Sequence, residues 1–273
     1  HKIDNGFIGI SLDGPGGIYR HKAGILLLDG LIYDIKEQKS TLNLIESNDG
    51  DIIAERISKF GIKKALSEIN GDFSIIWIPK NENYFFIARD PFGQRPLYYS
   101  KIGEGWVFSS QPSGIFSLTN FTRSINKNYL LRYGSMHYRM IDNIPDESPY
   151  ENIFQLEANT FIKFNYEKIL EKEKYWEFDF NFETTLSGNE LSEYYKFLLL
   201  DATRIRLNRF SDKEVAFTLS GGMDSSSVLA CAVNIRNKPQ ICYSSLYSDP
   251  TYDERDDIKT LIDGYVSDWR KVV

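Results

Sequence analysis

The sequence predicts an α/β chain of two domains: a sandwich of antiparallel sheets with helices over residues 1–180, then part of a parallel-sheet domain over residues 181–273. Three observations carry this prediction. Short strand-like runs, many of them paired across turn residues, crowd the first domain. A polar stretch from Asp179 to Gly188 interrupts that pattern. Beyond it, a strand-like run meets Ser220-Gly221-Gly222-Met223-Asp224-Ser225-Ser226 and passes at once into a helical run and a second strand.

In the first domain, the apolar run Phe7–Leu12 reads as a strand and Asp13–Gly17 as a loop. Ile25–Leu28 and Leu31–Tyr33 read as two strands around an Asp29-Gly30 turn. Residues 52–69 read as one or two helices broken at Gly61, because Ile52, Ile53, Ile57 and Phe60 share one face and Ala65, Leu66 and Ile69 another. Phe73–Ile78 and Tyr84–Arg89 read as antiparallel strands joined by the polar segment Pro79–Asn83. Trp106–Ser110 is a further strand, and Asn152–Glu177 holds two or three more. Arg89, Asp90 and Arg95 read as a salt-bridged turn at Asp90-Pro91 in preference to a functional charged cluster.

The second domain opens with Ser187-Gly188-Asn189-Glu190, the pattern of a capping box. The helix that follows places Leu191, Tyr194, Tyr195, Leu198, Ala202 and Ile205 on one face, expected to lie against the strand that carries the glycine turn. After a turn at Asn237-Lys238-Pro239, Gln240–Leu246 reads as a second strand. Parallel strands joined by a helix place a ligand at the carboxyl ends of the strands. The region supplies about three strands where a doubly wound domain has about five or more, so the chain reads as a fragment.

The chemistry centres on the turn. Gly221 and Gly222 let the backbone take positive φ and approach a ligand closely. The first N–H groups of the following helix have no internal partners and favour an anion. Ser220, Ser225 and Ser226 add hydroxyl donors. Asp224 does not attract phosphate, and reads as the catalytic ligand of a Mg²⁺ ion that rides with the phosphates. No Gly-Lys-Ser/Thr follows, so this is not a Walker loop. The plainer alternative is a capped helix after a glycine turn.

Composition narrows the classes. The chain is 42% apolar and 26% charged with a net charge of −6, which offers no electrostatic case for nucleic acid or an anionic membrane. No apolar run reaches the length of a membrane span, and the amino end lacks the plan of a signal peptide. Cys231 and Cys242 fit no metal spacing and read as buried small hydrophobes in a reducing, cytoplasmic setting.

Several motifs in order carry a resemblance: Asn70-Gly71-Asp72-Phe73-Ser74, the run Ala88–Tyr99 with Arg89-Asp90-Pro91-Phe92-Gly93, Phe108-Ser109-Ser110, Tyr175-Trp176, Ser220–Ser225 and Tyr252-Asp253-Glu254-Arg255. The chain resembles asparagine synthetases of the glutamine-dependent type. That resemblance implies an N-terminal-nucleophile (Ntn) glutaminase-type sandwich followed by a pyrophosphate-loop domain of the adenine nucleotide α-hydrolase kind. It implies ATP and Mg²⁺ as cofactors. It also implies a carboxylate substrate, small molecule or peptide, that is adenylated for attack by ammonia or an amine. A homodimer is the candidate oligomer. The loop residues Ser220, Gly221, Gly222, Asp224, Ser225 and Ser226 would hold the phosphates, and the backbone of Leu219 and Ser245 would meet adenine, with Leu246 where the family has glycine.

The same resemblance predicts a degenerate glutamine site, unless a cysteine-bearing amino end has been removed. No cysteine lies near the start. The family's Asn-Gly-Glu is matched by Asp29-Gly30-Leu31, and an aspartate would repel a developing oxyanion. Asp49 matches the residue that recognises the glutamine α-amine. Relatives without the cysteine, such as β-lactam synthetases and lasso-peptide cyclases, use an internal amine. A cyclase and a non-catalytic homologue therefore stay open as alternatives.

Overall fold

The computed structural model describes residues 2–3, 6–7, 14–118, 122–135, 143–181, 183–249, 251 and 253–272. The chain divides into two units, His1–Phe180 and Asn181–Val273.

In the first unit, β1 (Lys2–Ile3) pairs with β2 (Gly6–Phe7). The rest of the strand expected over Phe7–Leu12 lies outside the described residues. β3 (Gly16–His21) and β4 (Gly24–Ile32) form a hairpin. Its turn is Lys22-Ala23, between the paired His21 and Gly24, and not the expected Asp29-Gly30. Asp29 pairs with Gly16 on one side and Ser74 on the other, so it lies within a strand. Gly30 holds φ +128°, and a Cβ there would strike the Asp72 carbonyl of the neighbouring strand. Glycine here marks a close approach of two backbones, not a reversal. Gly16 and Gly17 likewise begin β3 and are not loop residues.

Three helices follow: α1 (Ile35–Leu42), α2 (Asp49–Phe60) and α3 (Ile62–Ser67). The Asn48 side chain caps α2 by accepting from the Asp51 amide at 2.9 Å, and Gly61 at φ +78° separates α2 from α3 as expected. Then come β5 (Gly71–Pro79), β6 (Tyr84–Arg89), β7 (Tyr98–Ile102), β8 (Gly105–Ser109), α4 (Pro112–Leu118), α5 (Lys127–Ser135), β9 (Phe154–Gln155), β10 (Thr160–Asn165) and β11 (Ile169–Lys174).

These strands make a six-stranded antiparallel sheet, β11-β10-β6-β5-β4-β3, and a three-stranded one, β8-β7-β9. Side chains alternate between the two faces of the larger sheet. Leu26, Leu28, Phe73, Ile75, Trp77 and Phe161 pack with Ile52, Ile53, Ile57 and Leu66 of the helices. Ile76, Phe85, Ile87, Ile162 and Phe164 face the other way, toward Leu97, Tyr99, Trp106 and Phe108. The unit is thus the predicted sandwich of antiparallel sheets, with helices on its outer face.

Arg89 and Asp90 correct the expectation of a salt-bridged turn. The buried Arg89 guanidinium donates to the carbonyls of Arg95 (2.9 Å), Leu156 (2.7 Å) and Gly93 (2.5 Å). The buried Asp90 carboxylate accepts from the amides of Phe92 (3.1 Å), Gln94 (2.9 Å) and Arg95 (2.9 Å). Each acts on the backbone, where fixed N–H and C=O groups need partners once water is removed.

The second unit contains α6 (Gly188–Arg209), β12 (Ala216–Thr218), α7 (Met223–Arg236), β13 (Gln240–Ser245), α8 (Arg255–Tyr265) and β14 (Val266–Val272). The capping box forms: Glu190 donates its amide to the Ser187 hydroxyl at 3.4 Å and accepts from the Ser187 amide at 2.8 Å. The parallel sheet runs β12-β13-β14. Leu219, Leu229, Cys242, Leu246 and Ile258 form its core. α6 packs against α7 and not against β12 as expected. Only Thr203 and Leu207, both from its carboxyl half, are buried, while Leu191, Tyr194, Tyr195 and Leu198 are exposed. Among the described residues no helix is long and apolar enough to cross a membrane.

Candidate functional site

β12 ends at Thr218 and α7 begins at Met223, so the turn between them is short and its geometry is set by its ends. Gly221 has φ +76°, and a Cβ there would sit 3.0 Å from the Asp257 Cβ at the start of α8. Gly222 is the N-cap of α7 with φ −71°. Among the described residues the amides of Gly221, Met223, Asp224 and Ser225 have no hydrogen-bond partner, as expected for a helix start that can receive an anion.

The serines gather at this opening. The Ser220 and Ser225 hydroxyls lie 3.2 Å apart, the Ser220 amide donates to Ser225 Oγ at 3.3 Å, and Ser226 Oγ donates to the Gly222 carbonyl at 2.7 Å. Asp224 is exposed in the first turn of α7, and among the described residues its carboxylate has no ion pair or hydrogen bond. A cleft of about 350 Å³ is lined by Ala216, Phe217, Thr218, Asp224, Ser225 and Val228. Among the described residues no group of three or more His, Cys, Asp or Glu could hold a metal by itself. A lone open carboxylate beside an anion seat suits Mg²⁺ that arrives with phosphate oxygens, since that ion keeps most of its coordination for waters and phosphate.

Leu219 and Ser245 stand at the carboxyl ends of neighbouring strands. The Leu219 amide donates to the Tyr243 carbonyl at 2.8 Å, and its carbonyl accepts from Ser244 Oγ at 2.6 Å. Ser245 is exposed and pairs with Val272. Leu246, where glycine was expected, is buried and donates its amide to Val272 at 2.7 Å, so its side chain points into the core and away from the strand ends. Ser244 was not singled out by sequence, although a signal existed. It is the polar member of an alternating set with Cys242 and Leu246, both buried. Tyr252 of the Tyr-Asp-Glu-Arg motif lies outside the described residues, and the Asp253 carboxylate accepts from the Arg255 amide at 3.3 Å. Cys231 and Cys242 are buried free thiols, and burial pushes both up from the ordinary thiol range.

Asp29, Gly30 and Asp49, the residues expected to form an altered glutamine site, fall in the first unit. Asp29 is held by its own neighbours: Ser110 Oγ donates to Asp29 Oδ2 at 2.7 Å, and Arg95 Nη1 lies 3.6 Å from Oδ1. The Gly30 amide donates to the Pro15 carbonyl at 2.9 Å, and Leu31 is buried. Asp49 Oδ1 accepts from the Ile32 amide at 2.9 Å. The Tyr19 ring covers Gly50, and burial, followed by the charges of Asp49 and Asp51, pushes the Tyr19 phenol up.

Residues 17–176 match the glutamine amidotransferase domain family, and residues 195–273 match the asparagine synthase family. A relative from Methanocaldococcus jannaschii, whose provisional name is asparagine synthetase (glutamine-hydrolyzing) 2, is 30% identical over 94% of this chain and 50% of its own. Asparagine synthetase (glutamine-hydrolyzing) 2 of Bacillus subtilis is 29% identical over 75% of this chain and 28% of its own. The chain therefore spans half or less of these relatives. Among solved structures, glutamine phosphoribosylpyrophosphate amidotransferase from B. subtilis aligns at a TM-score of 0.40 and 14% identity, over 93% of this chain and 62% of that one. A likeness that shallow carries nothing further. The chain belongs to the asparagine synthetase family, with an amidotransferase-family domain followed by synthase-family sequence.

Proposed function

We propose that the protein is an ATP-dependent ligase that adenylates a carboxylate, releases pyrophosphate, and forms an amide with an amine or ammonia. The observation that carries this reading is the β12–α7 turn. Four unpartnered amides, three serine hydroxyls and an open Asp224 surround one opening at the carboxyl end of a parallel strand. The amides of Gly221, Met223, Asp224 and Ser225 would bind the β- and γ-phosphates, and the hydroxyls of Ser220, Ser225 and Ser226 would orient them. The Leu219 and Ser245 backbone would face adenine. Asp224 would hold Mg²⁺, which when bound offsets the charge that accumulates on the leaving pyrophosphate. A carboxylate is a poor electrophile, and transfer of AMP makes a phosphate the leaving group.

A nitrogen source other than glutamine is favoured by the first unit. An oxyanion seat needs donors aimed at open space. Here Asp29 supplies an acceptor in place of a donor, and the Gly30 amide is bonded to Pro15. We therefore read the glutaminase half as inactive and keep the internal-amine cyclase as the second reading.

The test is carboxylate-dependent exchange of labelled pyrophosphate into ATP by the complete natural chain. Exchange with some carboxylate is expected. Its absence across amino-acid and peptide carboxylates would remove the ligase reading. Product formation with ammonia but not with glutamine would support the inactive half, and glutamine-supported turnover would contradict it.

A further inference from the structure

We propose that Ser244 and Trp269 are positioning residues that set the phosphate turn from its leading end; this rests on the reading that the turn takes ATP. Ser244 is 3% exposed, on the face of β13 that carries the core. Its Oγ donates to the Leu219 carbonyl at 2.6 Å and accepts from Trp269 Nε1 of β14 at 2.9 Å. A hydroxyl has a single proton. Because the indole N–H points at Oγ, that proton goes to Leu219, and the rotor is fixed. Leu219 also donates its amide to Tyr243. Both backbone polar groups of the residue before Ser220 are thus tied to β13, and through Trp269 to β14.

At its helix end the turn is held by Ser226 Oγ, which donates to the Gly222 carbonyl at 2.7 Å, but its leading end, at Ser220, has little of its own. Its internal bonds from Ser220 to Ser225 and from Gly222 to Ser220 run 3.2 to 3.4 Å, at the long end of the useful range. The bonds at its leading end are 2.6 to 2.9 Å. The clamp therefore decides how much ordering a ligand must still impose. Removing Ser244 Oγ strips the Leu219 carbonyl of one partner and leaves the Trp269 N–H without its acceptor.

The experiment compares Ser244→Ala, Trp269→Phe and the double variant of the complete natural chain in pyrophosphate exchange. Ser244→Ala should raise KM for ATP about tenfold, the upper range for one buried hydrogen bond, with kcat little changed. Trp269→Phe should raise it about threefold. The double variant should be no worse than Ser244→Ala, because both act through one hydroxyl. A merely structural role would lower kcat with the folded fraction and leave KM in place, and that result would overturn the proposal, as would additive effects. If Ser244→Ala does not fold, Trp269→Phe carries the test. If the parent binds neither ATP nor pyrophosphate, the ligase reading fails and the clamp is read by hydrogen exchange of the 220–226 amides. Exchange about tenfold faster in the variants supports it, and unchanged exchange refutes it.

Discussion

Gly221 offers a direct measure of whether the turn has the backbone described. An alanine at φ +76° costs about 1–2 kcal/mol for the left-handed conformation alone. Its Cβ would also meet the Asp257 Cβ at 3.0 Å and Ile258 Cγ1 at 3.5 Å, so α8 must yield by a few tenths of an ångström. Together these give about 2–3 kcal/mol for Gly221→Ala, in the range of a backbone-incompatible substitution. Gly222 is the control. Its φ is −71° and a Cβ there meets nothing nearer than Ser220 Oγ at 3.4 Å, so Gly222→Ala should cost only the weaker N-cap, about 1 kcal/mol or less. The assay is available within the chain. Its two cysteines, both buried, lie in the second unit, so pulsed thiol alkylation across a urea series reports the opening of that unit alone. Gly221→Ala should raise the opening equilibrium by about thirtyfold or more, since about 1.4 kcal/mol is tenfold. Equal midpoints for the two variants would refute the assigned turn geometry.

Asp224→Asn should lower pyrophosphate exchange by orders of magnitude while cysteine protection stays at the parent level; normal exchange would contradict its role toward Mg²⁺. Arg89→Met removes three bonds to carbonyls and should destabilise the first unit by about 3 kcal/mol. Tryptophan fluorescence in urea, with Trp77, Trp106 and Trp176 in that unit, would show it, and a loss under about 1 kcal/mol would count against it. Glu55 is subject to burial that raises its carboxyl, but bonds from His21, Lys59 and Lys22 outweigh this and bring it down to about 2 from 4.5. A depressed carboxylate stabilises above its unfolded pKa and stops doing so as pH falls through its folded one. The first unit should therefore lose stability between about pH 4.5 and 2, and Glu55→Gln should flatten that part of the profile. A parallel profile in the variant would show the ion cluster contributes nothing.

The parts that sequence revealed are those decided by neighbours in the chain. Glycines, serines and an acid between a strand and a helix specify the β12–α7 turn within a few residues. The Ser187–Glu190 capping box and the break at Gly61 are local in the same sense. Asp29-Gly30 misled because a glycine that admits a close strand looks like a glycine that admits a reversal. The difference lies in β5, some forty residues away, whose Asp72 carbonyl fills the space of a Cβ. Arg89 and Asp90 looked like a pair because opposite charges stand side by side. Their partners include the Leu156 carbonyl, which only the folded sheet brings near. The alternation of Cys242, Ser244 and Leu246 marks Ser244 as inward-facing, but its partners Leu219 and Trp269 depend on the register of three parallel strands, which composition does not show. The packing of α6 was misjudged because its apolar stripe is mostly exposed, at Leu191, Tyr194, Tyr195 and Leu198, and the helix is buried only at Thr203 and Leu207 of its carboxyl half.

The three carbonyls served by Arg89 belong to two stretches of chain, at 93–95 and at 156. Those stretches consequently form one heritable module. A chimera that imports the 90–97 loop from a relative while retaining the native 153–157 segment would leave a planar, permanently charged fork aimed at mismatched acceptors. Grafts across this family should exchange both stretches together, and the arginine with them.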